Sequence, residues 1–292
     1  MKILILGCEG QLGTSLLKSK KIKKIQIFGF NKKQLDISNY SLCNKIILNI
    51  LPDIIINAAA YTNVEQSEKN PEVANEINYY SLINLSKLCN SLGIFLFHIS
   101  TDYVFDGLKK LSYNESDLPN PLTKYGISKL KGEEAIRSIL NNFIILRVSW
   151  LYGPYQNNFF TKMIQLSYSN NEIKVVNDQY SIPTSSIDLA NIIWNIINNF
   201  NLKNQIKTGI YHYSNSGKKI SWFDFTENIF HLSKNYLNKI PIITPITSSQ
   251  FKSNLNRPTN SSLNINRICK EFNIKSIRWQ TSLKKVIERY FR

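Results

Sequence analysis

The sequence predicts an α/β fold, a doubly wound parallel sheet followed by a smaller C-terminal lobe. Short apolar runs alternate with helical patterns through residues 1–150. The runs are continuous rather than alternating in polarity, as in strands covered by helices on both faces. The first of them ends in a glycine-punctuated turn, "GCEGQLG", that opens directly into a helix.

In order, the expected strands are "KILIL" (2–6), "KIQIF" (24–28), "DIIIN" (53–57), "IFLFHI" (94–99) and "FIILRV" (143–148). Helical patterns lie near 11–20, 39–50, 71–92 and 124–140. Strand–helix alternation with right-handed crossovers gives the doubly wound sheet. Beyond 150 the rhythm loosens. "NNFFTKMIQLSYS" reads as a helix, "EIKVV" as a strand, and "SSIDLANIIWNIINNF" as a helix that starts at a serine cap. "GIYHYS" reads as a strand, and "SWFDFTENIFHLSKNYL" and the last dozen residues as helices. Residues 198–209, "NNFNLKNQIKTG", read as an Asn/Lys-rich surface loop. The expected division is a dinucleotide-binding domain over 1–150, with later segments able to interleave, and a mainly substrate-binding lobe over 151–292. Ligands of such folds bind in the cleft at the carboxyl ends of the strands.

Composition narrows the class. The 292 residues are 43% hydrophobic and 12% aromatic, enough for a large core. No apolar run approaches the ~20 residues of a membrane helix. The start, "MKILILGCEG", has too short an apolar run for a secretion signal and reads as a strand of a cytoplasmic protein. Cys8, Cys43, Cys89 and Cys269 form no CxxC pair and share no ligand spacing with His98, His212 or His231, so reduced structural thiols are expected. The formal charge of +16 comes from lysines spread along the chain ("KSKKIKK", "NKK", "GKK"). That pattern suits solvated faces, with "KSKKIKK" (18–24) a helix end meeting a turn, and no nucleic-acid partner is expected.

In the glycine turn, Gly7 permits the tight bend, Gly10 a close backbone approach to a pyrophosphate, and Gly13 close helix–strand packing. The helix N-terminus offers free N–H groups to an anion. Strand two ends "FGFNKKQLD" without the acid that usually holds the ribose 2′-hydroxyl of NAD. Lys32 and Lys33 follow, which favours NADPH, with NADH possible. Asp36 in "LDIS" suits either the adenine side of a cofactor site or a turn. Ala58, Ala59 and Ala60, followed by Tyr61 and Thr62, suit a cofactor lying against the backbone, although an alanine run also serves packing.

"LTKYGISKLKGEEA" sets Tyr125 and Lys129 four apart, on one helical face. A nearby cation favours a phenolate, and the same lysine suits ribose hydroxyls. A YxxxK spacing means little alone. Here it follows a dinucleotide loop, "NAAA" after strand three and "STD" after strand four, in that order.

These segments, with "PDIIINAAAYTNVEQSE" (52–68), "STDYVFDG" (100–107), "PLTKYGISKLKGE" (121–133), "ILRVSWLYG" (145–153), "VVNDQYSIPT" (175–184) and "RPTNSSLN" (257–264), resemble the extended short-chain dehydrogenase/reductase superfamily. Within it they are most similar to the dTDP-4-dehydrorhamnose reductases. The resemblance covers nearly the whole chain. It implies a Rossmann-type fold and hydride transfer from NADPH or NADH to C4 of a dTDP-4-dehydro sugar; a monomer or weak homodimer is expected. It implies that Tyr125 donates the proton, that Lys129 holds the ribose and tunes Tyr125, and that Thr101 bonds at the same centre. It places Gly10, Gln11, Leu12, Asp36, Ile37, Ala60, Tyr61 and Thr62 against the cofactor. It places Val64, Asp102, Trp150, Asn158, Gln179 and Arg257 against the substrate, with Ser261 in the same lobe. Arg257 suits a diphosphate and equally an inter-lobe salt bridge, and Trp150 suits a sugar wall or a core. Some relatives bridge subunits through Mg²⁺ held by glutamates, one of them in the first helix. That stretch here, "GTSLLKSK", has no acid, so no metal is expected. Ser181 stands where those relatives usually carry Gly. Two alternatives share the fold: another nucleotide-sugar reductase or epimerase, and a non-catalytic subunit resembling that of methionine adenosyltransferase. The intact Thr101, Tyr125 and Lys129 argue against the second.

Overall fold

The structure is a computed structural model that describes residues 1–19, 25–203, 207–251 and 255–292, with only the backbone for 200–203. Strands β1 (Lys2–Leu6), β2 (Gln26–Phe30), β3 (Ile54–Asn57), β4 (Phe95–Thr101) and β5 (Phe143–Val148) join the strand Gly209–Tyr213 in one six-stranded sheet. From one edge to the other the order is Gly209–Tyr213, β5, β4, β3, β1, β2, and every pairing is parallel. Strand two therefore sits two residues later than its apolar run suggests, ending at Phe30; its expected first residue, Lys24, lies outside the described residues. Of the 18–24 cluster, Lys18 ends the first helix and Ser19 caps it, and the remainder lies outside the described residues.

Alternation along each strand feeds two cores. Ile3 and Ile5 of β1 face one layer, with Leu12 and Leu16 of the helix Gln11–Lys18 and Leu189, Ile193 and Ile197 of the helix Ser186–Lys203. Leu4 and Leu6 face the other, with Ile47 of Tyr40–Ile50, Leu85 of Ser81–Leu92 and Ile136 of Lys124–Ile139. A third core, around Phe160, Phe225, Phe230 and Trp279, belongs to the C-terminal lobe.

The chain re-enters the sheet domain after residue 150. The Gly209–Tyr213 strand extends the sheet beside β5, and Trp194 donates from its indole to the Leu16 carbonyl at 3.1 Å. The residues read as a loop over 198–209 are helical as far as Lys203. Burial of Leu189, Ile193 and Ile197 nucleates that helix, and its polar tail adds turns at little cost. Residues 204–206 lie outside the described residues.

The helix expected over 71–92 is three contiguous pieces: α-helical Pro71–Asn75, a π-helical turn Glu76–Tyr80, and α-helical Ser81–Leu92. The four cysteines are free thiols, three of them buried.

Candidate active site

Strand order reverses between β1 and β3, and the glycine turn fills that switch point. Gly7 has φ +75°, a left-handed conformation that only glycine takes freely. A Cβ there would also lie 2.8 Å from the Ala59 nitrogen, so the loop after β3 rests directly on the glycine turn. A Cβ at Gly13 would lie 2.2 Å from the Gly7 carbonyl oxygen. The helix opens at Gly10, which has no side chain to cap it, leaving its first N–H groups facing outward.

A cavity of about 270 Å³ lies beside this turn, bordered by Gly7, Gly10, Asp36, Ile37, Ala60 and Tyr61 among others. Gly7 comes from the glycine turn, and the others are residues that the resemblance sets against the cofactor. Gln11, Leu12, Gly13 and Thr62 do not border it. Leu12 is buried in the first core, so only its backbone faces the helix mouth. The Gln11 amide donates to the Leu151 carbonyl at 3.2 Å. The turn with no room for a Cβ and the open helix end suit the pyrophosphate of a dinucleotide, with the cavity beside them.

Asp36 stands in a turn at the edge of the cavity. It borders the cavity, and its carboxylate accepts from the Ser38 N–H and hydroxyl at 3.0 and 2.7 Å. Burial pushes its pKa up, but those bonds and Lys32 bring it net below the usual carboxylate value. The strand-two acid that the sequence lacks has a counterpart in the glycine turn. Glu9 accepts from the Asn31 side-chain amide at 2.7 Å, at the first position beyond β2. Glu9, Asn31 and Lys32 all border the cavity. Sequence reading missed Glu9 because only the fold brings residue 9 beside residue 31.

One strand over, β4 delivers Thr101 and Asp102 to the carboxyl edge. Thr123 caps the helix Lys124–Ile139, accepting from the Gly126 N–H at 3.0 Å. Gly126 packs so closely that a Cβ would lie 2.2 Å from the Tyr103 carbonyl oxygen. Tyr125 thereby stands edge-on to Tyr103, with ring centroids 5.6 Å apart. Burial raises the Tyr125 pKa above the usual tyrosine value, a Thr101 hydrogen bond pulls it back, and Asp102 and Tyr103 raise it further.

The Lys129 ammonium position is set by other groups. Its Nζ donates to the Ile99 carbonyl at 2.8 Å and lies 3.2 Å from His98 Nε2. Burial brings its pKa down to about 8, with Glu133 acting in the opposite sense. Thr101 donates to Asp102 Oδ1 at 3.2 Å. Burial pushes the Asp102 pKa up to about 7, against the pull of Ser261 and Thr101. Beneath this group, Glu133 accepts from Ser100 at 2.5 Å and from Arg147 at 2.6 Å, all three fully buried. That bond set ties the helix bearing Tyr125 and Lys129 to β4 and β5.

The π-helical turn supplies a residue that sequence reading missed. Asn78 accepts from the Tyr61 N–H at 2.9 Å and donates to the Tyr61 carbonyl and the Ser128 hydroxyl at 3.0 Å each. It ties the cofactor-side loop to the Tyr125 helix.

The substrate-lobe residues scatter more. Val64 begins the helix Val64–Lys69. Arg257 lies 3.5 Å from Glu65 of that helix and acts on Tyr103, so it spans the lobes beside the site. Trp150 follows β5 with φ +44°, strained for a bulky residue. It lies flat on Trp222, which sequence reading did not single out. Gln179 donates to Ser248 at 2.9 Å. Asn158 caps the helix Phe159–Ser169, and its amide donates to the carbonyls of Gly153, Tyr155 and Gln156. Its bonding capacity is spent inside its own loop. Among the described residues no three His, Cys, Asp or Glu side chains form a metal-sized cluster. Nor is any described helix long and apolar enough to cross a membrane.

The family model described as "RmlD substrate binding domain" matches residues 1–292. A dTDP-4-dehydrorhamnose reductase of Aggregatibacter actinomycetemcomitans is 35% identical over 288 residues, 98% of each chain. The chain belongs to the dTDP-4-dehydrorhamnose reductase family. Solved members of this reductase family share its whole fold. One from Bacillus anthracis, in complex with NADP, superimposes with a TM-score of 0.90 at 35% identity, over 99% of each chain. One from Clostridium acetobutylicum matches with the same TM-score at 36% identity and equal coverage.

Proposed function

We propose that this chain reduces dTDP-4-dehydro-L-rhamnose to dTDP-L-rhamnose, using NADPH, with NADH also accepted. One observation carries the reading. Thr101 hydrogen-bonds with Tyr125 at the end of β4, and Lys129 of the same helix reaches the Ile99 carbonyl of that strand, with the glycine turn at the β1/β3 switch point. Family membership supplies the substrate class.

When bound, the nicotinamide supplies the hydride. The chain supplies position and a proton. Gly7, Gly10 and the helix mouth hold the pyrophosphate. Tyr125 is protonated at neutral pH because burial raises its pKa, so it is in the state needed to donate to the C4 oxygen. Thr101 bonds to the same phenol and keeps it aligned. Lys129 answers the ribose hydroxyls. Asp102, Val64 and Trp150 border the sugar, and Arg257 and Gln179 serve the nucleotide diphosphate side. Residues 1–150, completed by the later strand and helices, form the cofactor domain, and the remainder of 151–292 the substrate lobe. The enzyme works in the cytoplasm as a monomer or weak homodimer, and the step calls for no metal.

The test is NADPH oxidation with enzymatically made dTDP-4-dehydro-L-rhamnose. Wild type turns over, and Tyr125→Phe loses about 10²- to 10⁴-fold in kcat, the range of one general acid. No turnover by wild type on this sugar overturns the reading.

A further inference from the structure

Four groups form a line from the turn after β3 to the Tyr125 helix. The Ala59 N–H donates to Asn57 Oδ1 at 3.1 Å. Asn57 Nδ2 lies 3.2 Å from His98 Nδ1. His98 Nε2 lies 3.2 Å from Lys129 Nζ. Asn57, His98 and Lys129 are each no more than 2% exposed, so water does not intervene to repair a mismatch.

The first member fixes the polarity of the rest. A backbone N–H only donates, so Asn57 presents its oxygen to Ala59 and its NH₂ to His98. Nδ1 of His98 therefore accepts. The proton of the neutral imidazole then sits on Nε2, pointing at Lys129. An ammonium there sets two donors head to head in a dry site, where an unmade hydrogen bond is expensive. A neutral amine removes the conflict, because its lone pair accepts from His98 while it donates to the Ile99 carbonyl at 2.8 Å.

We propose that His98, oriented by Asn57, is a positioning residue that weakens the hold of Lys129 on its proton until cofactor engages it, so that cofactor binding at mildly alkaline pH takes up a proton at Lys129. Ribose hydroxyl oxygens accept from an ammonium, which draws Nζ off His98 and favours its charged form. The proposal rests on the cofactor reading above. The surroundings agree with it. Burial lowers the His98 pKa well below the usual histidine value, so the ring stays neutral. From its own helix Lys129 meets Glu133, whose charge is shared with Arg147 of β5. Tyr125, also on that helix, is protonated. From β3 the neutral Asn57 reaches it through His98. At the end of β4, Asp102 has its pKa at about 7.

Two measurements on the full chain test this. Side-chain ¹⁵N NMR of wild type reports the His98 tautomer directly, and the Nε2–H form is expected from pH ~6 to ~9. An Nδ1–H form or an imidazolium overturns the proposal. Calorimetry of NADPH binding, without sugar, in two buffers of different protonation enthalpy reports proton uptake. Near pH 8, where Lys129 is half neutral, about half a proton per NADPH is expected. Asn57→Asp offers an acceptor to Nδ1 and turns Nε2 into an acceptor for the ammonium, so uptake falls towards zero. No uptake in wild type, or the same uptake in Asn57→Asp, overturns the proposal. If wild type binds no NADPH at all, the cofactor reading itself fails.

Discussion

Trp150 lies flat on Trp222, with ring centroids 3.4 Å apart and planes within 6°. The Phe159 ring also packs on Trp222, with centroids 4.2 Å apart. Trp150 holds a left-handed φ of +44°, and such strain persists where neighbours over-determine it. The stack supplies that constraint and sets a flat aromatic wall two residues beyond the end of β5.

Trp222→Leu is expected to free Trp150. KM for the dTDP-sugar then rises about fivefold to tenfold, in line with the ~1 kcal/mol of one aromatic pair, while kcat changes less. The loss of the stacked indoles also removes their coupled circular-dichroism band. A KM that does not move separates the pair from substrate binding.

Charges at the end of β2 are expected to set cofactor choice. Lys32 borders the cavity and lies 3.8 Å from Asp36, whereas Lys33 does not border it. Glu9, bonded to Asn31, faces the same place. Lys32→Ala is expected to lower the NADPH/NADH affinity ratio about fivefold, the ~1 kcal/mol of one screened charge. Glu9→Gln raises that ratio by a similar factor, and Lys33→Ala leaves it unchanged. Direct titration of both cofactors measures all three.

Asp102 makes stability depend on pH. Its folded pKa, about 7, stands above the usual aspartate value of 3.8. The folded chain therefore binds more protons between those values, and this group's stabilisation is full at low pH and lost as pH rises from 4 towards 7. Asp102→Asn removes that loss. Urea unfolding is expected to show Asp102→Asn more stable than wild type by a few kcal/mol at pH ~8, with the gap closing near pH ~4. A gap independent of pH contradicts burial as the source of the raised pKa.

Much of this protein follows from local sequence. Continuous apolar runs and the spacing of Gly7, Gly10 and Gly13 specify a parallel sheet with a cofactor turn, because burial on both faces and backbone sterics act over a few residues. Tyr125 and Lys129 share a face through helical periodicity alone. Tertiary structure decided what depends on distant partners. It added Gly209–Tyr213 to the sheet and carried a helix through the Asn-rich 198–203. It brought Glu9 to Asn31 and Trp222 to Trp150, and turned Asn78 onto Tyr61 through a π-helical turn. It also directed Lys129 onto His98 and Ile99, where one helical face would only have set it near Tyr125. Periodicity fixes which way a side chain leaves its own element. What it meets there, and hence its charge, depends on how elements far apart in the chain pack together.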